Sequence, residues 1–452
     1  MILLLALLVA GPAAAQTIKD VLLETYLSNP QLAAGRARLR ATDELVPQAL
    51  SGWRPRVSLE GTYESVRGQG TLNQTEQGVD VDRSTTRAAA VVRQNLYNGG
   101  GTVAATSRAE NLVRAERASL LALEQATLLN AIEAYTAVFR ERAVYDLALI
   151  NEERLKRQLQ ATRDRFNVGE VARTDVAQAE ARLSRARADV EAATATLTSS
   201  TAFYRRVVGR EPGKLARPER LKELPRTFAD AEAIATTNPE IILASFNLAA
   251  SQDDIDVSYA DLLPDVDLTA RAEHATEPQI ATQSQRSATL GLALVIPLYQ
   301  GGAEYSRVRQ SRQTMQQRRN DLEARYRSVQ ETVTAAWEDV RSTAAAIVAL
   351  RSEVRANDIA LRGVQEENLV GARTVLDVLD AEQALFTSRV DLVRAERAEV
   401  LASYRLKAAI GELLADRIGL PVEPYDATAN YRQVRDRLFG IASMNPGEPR
   451  RR

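Results

Sequence analysis

Apolar residues along this chain keep one spacing for long stretches and then switch to another. Tyr326, Val329, Val333, Ala336, Val340, Thr343, Ile347, Leu350 and Val354 advance in alternating steps of three and four. So do Val176, Ala179, Leu183, Ala186, Val190, Ala193, Leu197, Ser200, Tyr204 and Val207. Spacing sustained this far is a coiled-coil seam, and its many Ala, Ser and Thr knobs let helices approach closely. Between Gly101 and Val168 there is neither proline nor interior glycine. At a rise of about 1.5 Å per residue such a run reaches on the order of 100 Å. Gly169 and Gly371 each break the pattern once, which predicts two helical hairpins, over 101–208 and 303–410.

Ahead of each hairpin the period drops to two. Val57, Leu59, Gly61 and Tyr63 alternate with Ser58, Glu60, Thr62 and Glu64; Val266, Leu268, Ala270 and Ala272 alternate with Asp265, Asp267, Thr269 and Arg271. A return strand reads through Leu290, Leu292, Leu294, Ile296 and Leu298. The pattern predicts strand pairs at about 55–97 and 264–298, joined by polar loops at Arg67 to Thr86 and Glu277 to Ser287. Each strand is expected to hold about ten residues with one apolar face, the length that crosses a bilayer. A half-buried soluble hairpin fits the same alternation.

The chain is written twice. Asn29-Pro30 recurs as Asn238-Pro239 and Arg54-Pro55-Arg56-Val57 is echoed by Leu263-Pro264-Asp265-Val266, both 209 residues on. Leu96-Tyr97-Asn98-Gly99-Gly100 recurs as Leu298-Tyr299-Gln300-Gly301-Gly302 at an offset of 202, which also maps Val168-Gly169 onto Val370-Gly371 and Asp175-Val176 onto Asp377-Val378. The glycine pairs Gly99-Gly100 and Gly301-Gly302 fall where strand gives way to helix; with no Lys-Ser/Thr after them they ease a corner and cradle no phosphate. The repeats span 16–209 and 227–411, each with short helices, a strand pair and a hairpin. A linker at 210–226 holds Pro212, Gly213, Pro218 and Pro225. The segment 412–452 follows, and its end, with Asn445-Pro446-Gly447-Glu448-Pro449 and three arginines, reads as disordered.

Composition narrows the function. Ala, Leu, Arg, Glu and Gln favour helix, aromatics are only 5%, and 58 basic residues nearly cancel 59 acidic ones, so no bulk field draws nucleic acid. Ile2 to Ala10 is apolar but too short to span a bilayer, and Ala13-Ala14-Ala15 offers a small-residue cleavage site. Residues 1–15 thus read as a signal peptide, although no Lys or Arg precedes the apolar run. No later segment supplies the roughly 20 apolar residues of a membrane helix, so any membrane contact would come through strands. With one histidine, His274, at the end of a predicted strand, and no cysteine, Cys–His catalysis and His/Cys metal clusters lack material. No catalytic residue, metal ligand or cofactor is expected.

Asp377 and Asp380 stand three apart, on one helix face near a helix start. They complement the helix dipole, with Thr374 and Asp377 set for a capping box. Yet the first repeat has Gln178 where Asp380 stands, so folding this helix does not require the doubled carboxylate.

Signal segment, duplication, strand pair, Gly-Gly and long hairpin together resemble the TolC-type outer-membrane efflux protein family, from about Thr17 to Leu420. The most specific match is Gly371-Ala372-Arg373-Thr374-Val375-Leu376-Asp377-Val378-Leu379-Asp380-Ala381, which looks like the family's turn at the periplasmic entrance. The resemblance implies a mainly α protein with membrane β: a homotrimer whose twelve-stranded β-barrel continues as a twelve-helix α-barrel. It also implies outer-membrane lipid around the barrel, a periplasmic adaptor and an inner-membrane pump or ABC exporter as partners, and no enzymatic activity. Threefold symmetry would then gather Asp377 and Asp380 into a pore constriction. By the same resemblance Arg373 reaches Asp175 on a neighbouring hairpin as a gating latch. Asn368 stands where the family commonly has a tyrosine, the third member of that latch, and Asn95 where it often has a proline, kept at Pro297 in the second repeat. A periplasmic coiled-coil or adaptor protein without a pore is the competing reading.

Overall fold

The computed structural model describes residues 15–71, 78–279, 282–443 and 445–451; the apolar leader up to Ala14 lies outside them. The chain opens with α1 (Ile18–Ser28), α2 (Pro30–Asp43) and α3 (Leu45–Leu50), then β1 (Arg56–Thr71) and β2 (Gly78–Asn98). The first hairpin is α4 (Gly101–Asn167) with α5 (Arg173–Val208). After an irregular crossing come α6 (Phe228–Ala235), α7 (Pro239–Ala260), β3 (Asp265–Gln279) and β4 (Thr282–Val295). The second hairpin is α8 (Ala303–Leu369) with α9 (Val375–Ala409). Both leading helices are 67 residues long. No helix of the described residues is long and apolar enough to cross a membrane.

The recurring Asn-Pro pair has a structural job. Asn29 caps α2 by accepting the Gln31 N–H at 2.8 Å, and its amide donates to the Val207 carbonyl at 2.9 Å. Asn238 does the same for α7, with the Glu240 N–H at 2.9 Å and the Ala409 carbonyl at 2.8 Å. Each asparagine therefore starts one helix and ties it to the end of its hairpin's returning helix. Proline fits the first helical position because the N–H it lacks would have no partner there.

The four strands form one antiparallel sheet in the order β1-β2-β3-β4, which leaves β1 and β4 as edges. Register decides what each face carries. Leu59 lies opposite Ala90, Ala90 opposite Ala272, and Ala272 opposite Ala288; Val57 leads to Val92, Ala270 and Leu290 in the same way. Directly paired residues share a face, so one apolar surface runs across all four strands. The other face carries most of the sheet's charge beside Ala89 and Val91, with Arg271 bridging Glu60 at 2.9 Å and Glu273 at 2.8 Å.

The strands are 14 to 21 residues long, not the ten expected. The residues read as polar loops are mostly strand: β1 runs on to Thr71, β2 starts at Gly78, and β3 and β4 reach Gln279 and Thr282, with only 72–77 and 280–281 outside the described residues. Ladder bonds come from the backbone and continue where the apolar alternation stops. His274 accordingly lies inside β3, opposite Ala88 and Arg286, not at its end. At the other end β4 stops at Val295, short of Ile296 and Leu298, because Pro297 has no N–H for a ladder. At the matching place β2 continues to Asn98 past a bulge, where the Asn95 amide donates to Asp265 and Asp267 at 3.0 and 3.2 Å.

Residues 412–443 and 445–451 are folded as well, contrary to the disorder expected of the end of the chain. Leu413, Ala415, Leu420 and Val422 are buried with Tyr26, Leu128, Ile132 and Tyr135 in the largest apolar cluster. The last residues return to pair Arg450–Arg451 (β6) with Val422–Glu423 (β5). A signal reading only hydrophobic period misses the end of this segment, where polar contacts fasten it: Glu448 meets Arg40 at 2.9 Å and Arg36 at 3.8 Å.

Candidate functional site at the hairpin tips

The two hairpins turn by the same device. Beyond α4 the Gly169 N–H donates to the Phe166 carbonyl and the Glu170 N–H to the Arg165 carbonyl. Beyond α8 the Gly371 N–H donates to Asn368 and the Ala372 N–H to Glu367. This is the Schellman closure, which needs a left-handed residue, and Gly169 and Gly371 sit at φ of 80° and 77°. At the opposite ends Gly100 and Gly302 cap α4 and α8 after Gly99 and Gly301. A Cβ on Gly99 would stand 2.6 Å from the Leu263 Cβ, so that corner admits no side chain.

Asp377 is built into the start of α9. Its Oδ2 accepts the Thr374 N–H at 2.9 Å and the Thr374 hydroxyl at 2.8 Å, while its own N–H donates back to that hydroxyl at 3.2 Å. The Thr374 N–H, then its hydroxyl, hold this carboxyl below the usual aspartate range. Asp175 accepts the Ala172 N–H at 3.0 Å at the start of α5, where Ala172 offers no hydroxyl in return. Arg373 turns to Glu367, 2.8 Å away in its own hairpin. Within one chain Arg373 and Asp175 therefore do not meet.

Other residues join the two hairpins. Asn368, 7% exposed, accepts from the Arg165 guanidinium of α4 at 3.0 Å and donates to the Arg373 carbonyl at 2.8 Å. Asp380 is not a bare carboxylate, for Arg182 of α5 lies 2.5 Å from it. Just below, Val375 and Leu379 of α9 are buried among Leu155, Leu159, Ala179, Leu183 and Ala186 of the first hairpin. Burial of side chains this size is worth roughly 1.5–3 kcal/mol each, more than an exposed ion pair supplies.

Neither Arg165 nor Arg182 stands out in the sequence, where arginine is common. A faint signal exists in the duplication: at the 202-residue offset Arg182 faces Ala384, and Gln178 faces Asp380. Opposite charges peculiar to different repeats meet in space.

A sheet with one lipid-compatible face, continued by helices on the order of 100 Å long and clasped at their far ends, is the build of an outer-membrane exit channel. Residues 22–210 and 232–412 match the outer membrane efflux protein family, and the chain belongs to it. The outer membrane efflux protein BepC of Brucella suis biovar 1 is 34% identical over 443 residues, 97% of this chain and 95% of BepC. The outer membrane protein TolC of Vibrio cholerae serotype O1 is 26% identical over 409 residues, 88% of this chain and 91% of TolC. Among solved structures the outer-membrane channel OprN has the same fold, with a TM-score of 0.79 at 21% identity, covering 87% of this chain and 90% of that one.

Proposed function

We propose that three copies of this chain close around an axis into a twelve-stranded barrel continued by twelve helices, a passive conduit from periplasm to exterior. The observation that carries this reading is the sheet. Its two edges end without partners, and lipid provides no hydrogen bonds to replace them. A periplasmic adaptor without a pore has no use for four strands sharing one apolar face. Cargo would arrive from an inner-membrane pump or ABC exporter through an adaptor docked at the hairpin tips, in tripartite efflux or type I secretion.

At rest the tip is held closed. Arg182–Asp380, Arg165–Asn368 and the Val375/Leu379 contact hold the two hairpins of one protomer together. Arg373 and Asp175 link neighbouring protomers, and Asp377 with Asp380 rings the constriction. Single-channel recording in planar bilayers tests both levels. Arg182→Ala, Asp175→Ala and Arg373→Ser should each raise conductance severalfold in an intact trimer, and Asp377→Asn with Asp380→Asn should weaken cation preference. Wild-type conductance in all three single variants overturns the latch; a folded monomer in mild detergent overturns the channel.

A further inference from the structure

The C-terminal segment makes an excursion that ends bare. It leaves the largest apolar cluster beside α1, where the Tyr425 N–H donates to the Tyr26 hydroxyl at 3.0 Å. It then climbs alongside α2 and α4. In α10 (Ala429–Val434) Asn430 donates to the buried Asp43 at 2.8 Å, and Tyr431 reaches Glu110 at 3.3 Å. At the top, the Arg54 guanidinium donates to the Arg437 carbonyl at 2.8 Å. The chain then returns, and the Asp426 N–H donates to the Gly447 carbonyl at 3.1 Å.

Both legs are pinned; the tip is not. The Arg437 guanidinium donates to the Ala442 carbonyl at 2.7 Å and the Phe439 carbonyl at 3.3 Å, so the loop wraps around its own cation. That geometry turns three large apolar side chains outward: Leu438, Phe439 and Ile441 are 69%, 87% and 105% exposed. Isolated exposed apolar residues need no explanation, but three held out by one ordered loop mark a surface built for contact.

The place of the tip says what covers it. Arg54 stands two residues before β1, whose apolar face begins at Val57. Exposed Trp53, Tyr97 and Tyr299 lie around the same end of the sheet, as aromatic girdles do where a barrel enters its lipid. Arg54 and the exposed Arg56 add positive charge at headgroup depth.

Building on the reading of the sheet as membrane-spanning, we propose that Leu438, Phe439 and Ile441 insert into the periplasmic leaflet of the outer membrane. Each protomer would then carry one short phospholipid anchor beside its barrel strands. The chain has no cysteine, so a single introduced thiol can be labelled without background. We would attach a fluorophore at Phe439→Cys, at Gln433→Cys on α10 and at Leu59→Cys on the sheet, in full-length protein reconstituted in phosphatidylethanolamine–phosphatidylglycerol vesicles. The expected result is that the labels at 439 and 59 lose most of their emission to lipid-borne nitroxide and little to aqueous iodide, with the reverse at 433. Lipid quenching at 59 and iodide quenching at 439 overturns the anchor alone. Protection at 439 from both quenchers assigns the tip to a neighbouring protomer and also overturns it. Iodide quenching at both 59 and 439 overturns the membrane reading on which the anchor rests.

Discussion

α4 and α8 have the same length, the same kind of turn and equivalent places in a duplicated chain, yet their surroundings differ. In α4, 24 residues are buried; in α8, 8 are, so one helix is central and the other lies at an edge. The contrast is written into matched positions. Leu128 and Ile132 are fully buried, while their counterparts 202 residues on, Gln330 and Thr334, are exposed. Glu124 is buried where Tyr326 is 44% exposed. The cause is that α4 is flanked by α5 and by α7 and α9 of the second half and is further covered by α1, α2 and the segment after Ala409, whereas α8 packs only on α9, α7 and the short α6 among the described elements. The two hairpins match in length and turn, and what packs around each makes them unequal.

In the proposed trimer, an uncovered helix edge is where a neighbouring protomer would sit. Val348 and Ile359 lie eleven residues apart on α8, hence on one face, and both are mostly exposed. Replacing both with glutamate would place charge at the proposed interface. The largest expected effect is loss of the trimer, with helix content kept, read by mass in mild detergent and circular dichroism. A trimer of unchanged stability would mean that α8 is not the interface.

Within the chain, the matched positions should respond unequally. Leu128→Ala opens a cavity in the main core and is expected to cost about 3 kcal/mol, whereas Gln330→Ala should stay within about 0.5 kcal/mol. Chemical denaturation of both variants measures this, and equal costs would erase the difference between the two copies.

The smallest effect concerns Glu124. Burial pushes its carboxyl from an ordinary 4.5 up to about 7, against the Ala415 N–H that donates to it at 2.7 Å. Between those values the folded chain keeps a proton that the unfolded chain has released. Stability should therefore fall as pH rises from about 4.5 to 7 and level off above, by at most about 3 kcal/mol. Glu124→Gln should flatten that slope, and Tyr326→Gln should leave it unchanged. A slope untouched by Glu124→Gln would show that the proton resides elsewhere.

Much of the architecture was legible along the chain because it depends on local spacing. Seams with steps of three and four can only be long helices, strict alternation marks a two-faced strand, and glycine after such a helix marks its reversal. Asn29-Pro30 and Asn238-Pro239 were legible only as a recurrence, and their capping role became visible in the fold. The extent of the strands was less legible, since backbone ladders persist after side-chain alternation ends. At the tip, Asp377 could be read as a cap because its partner Thr374 is three residues away.

Asn368 and Asp380 could not be read so. Their partners Arg165 and Arg182 are some 200 residues distant, among many arginines, and no local rule selects them. The order of residues 412–443 and 445–451 was hidden likewise: their polar composition suggests solvent, and it takes the burial of Leu413, Leu420 and Val422 against α1 and α4, with Glu448 meeting Arg36 and Arg40 and Asn430 meeting Asp43, to make order favourable. Sequence by itself determined the two long hairpins and the presence of the strand pairs, because periodicity and turn chemistry act between near neighbours. Tertiary structure alone decided which copy is central, which charges clasp at the tip and where the tail points, because those depend on side chains brought together across the fold.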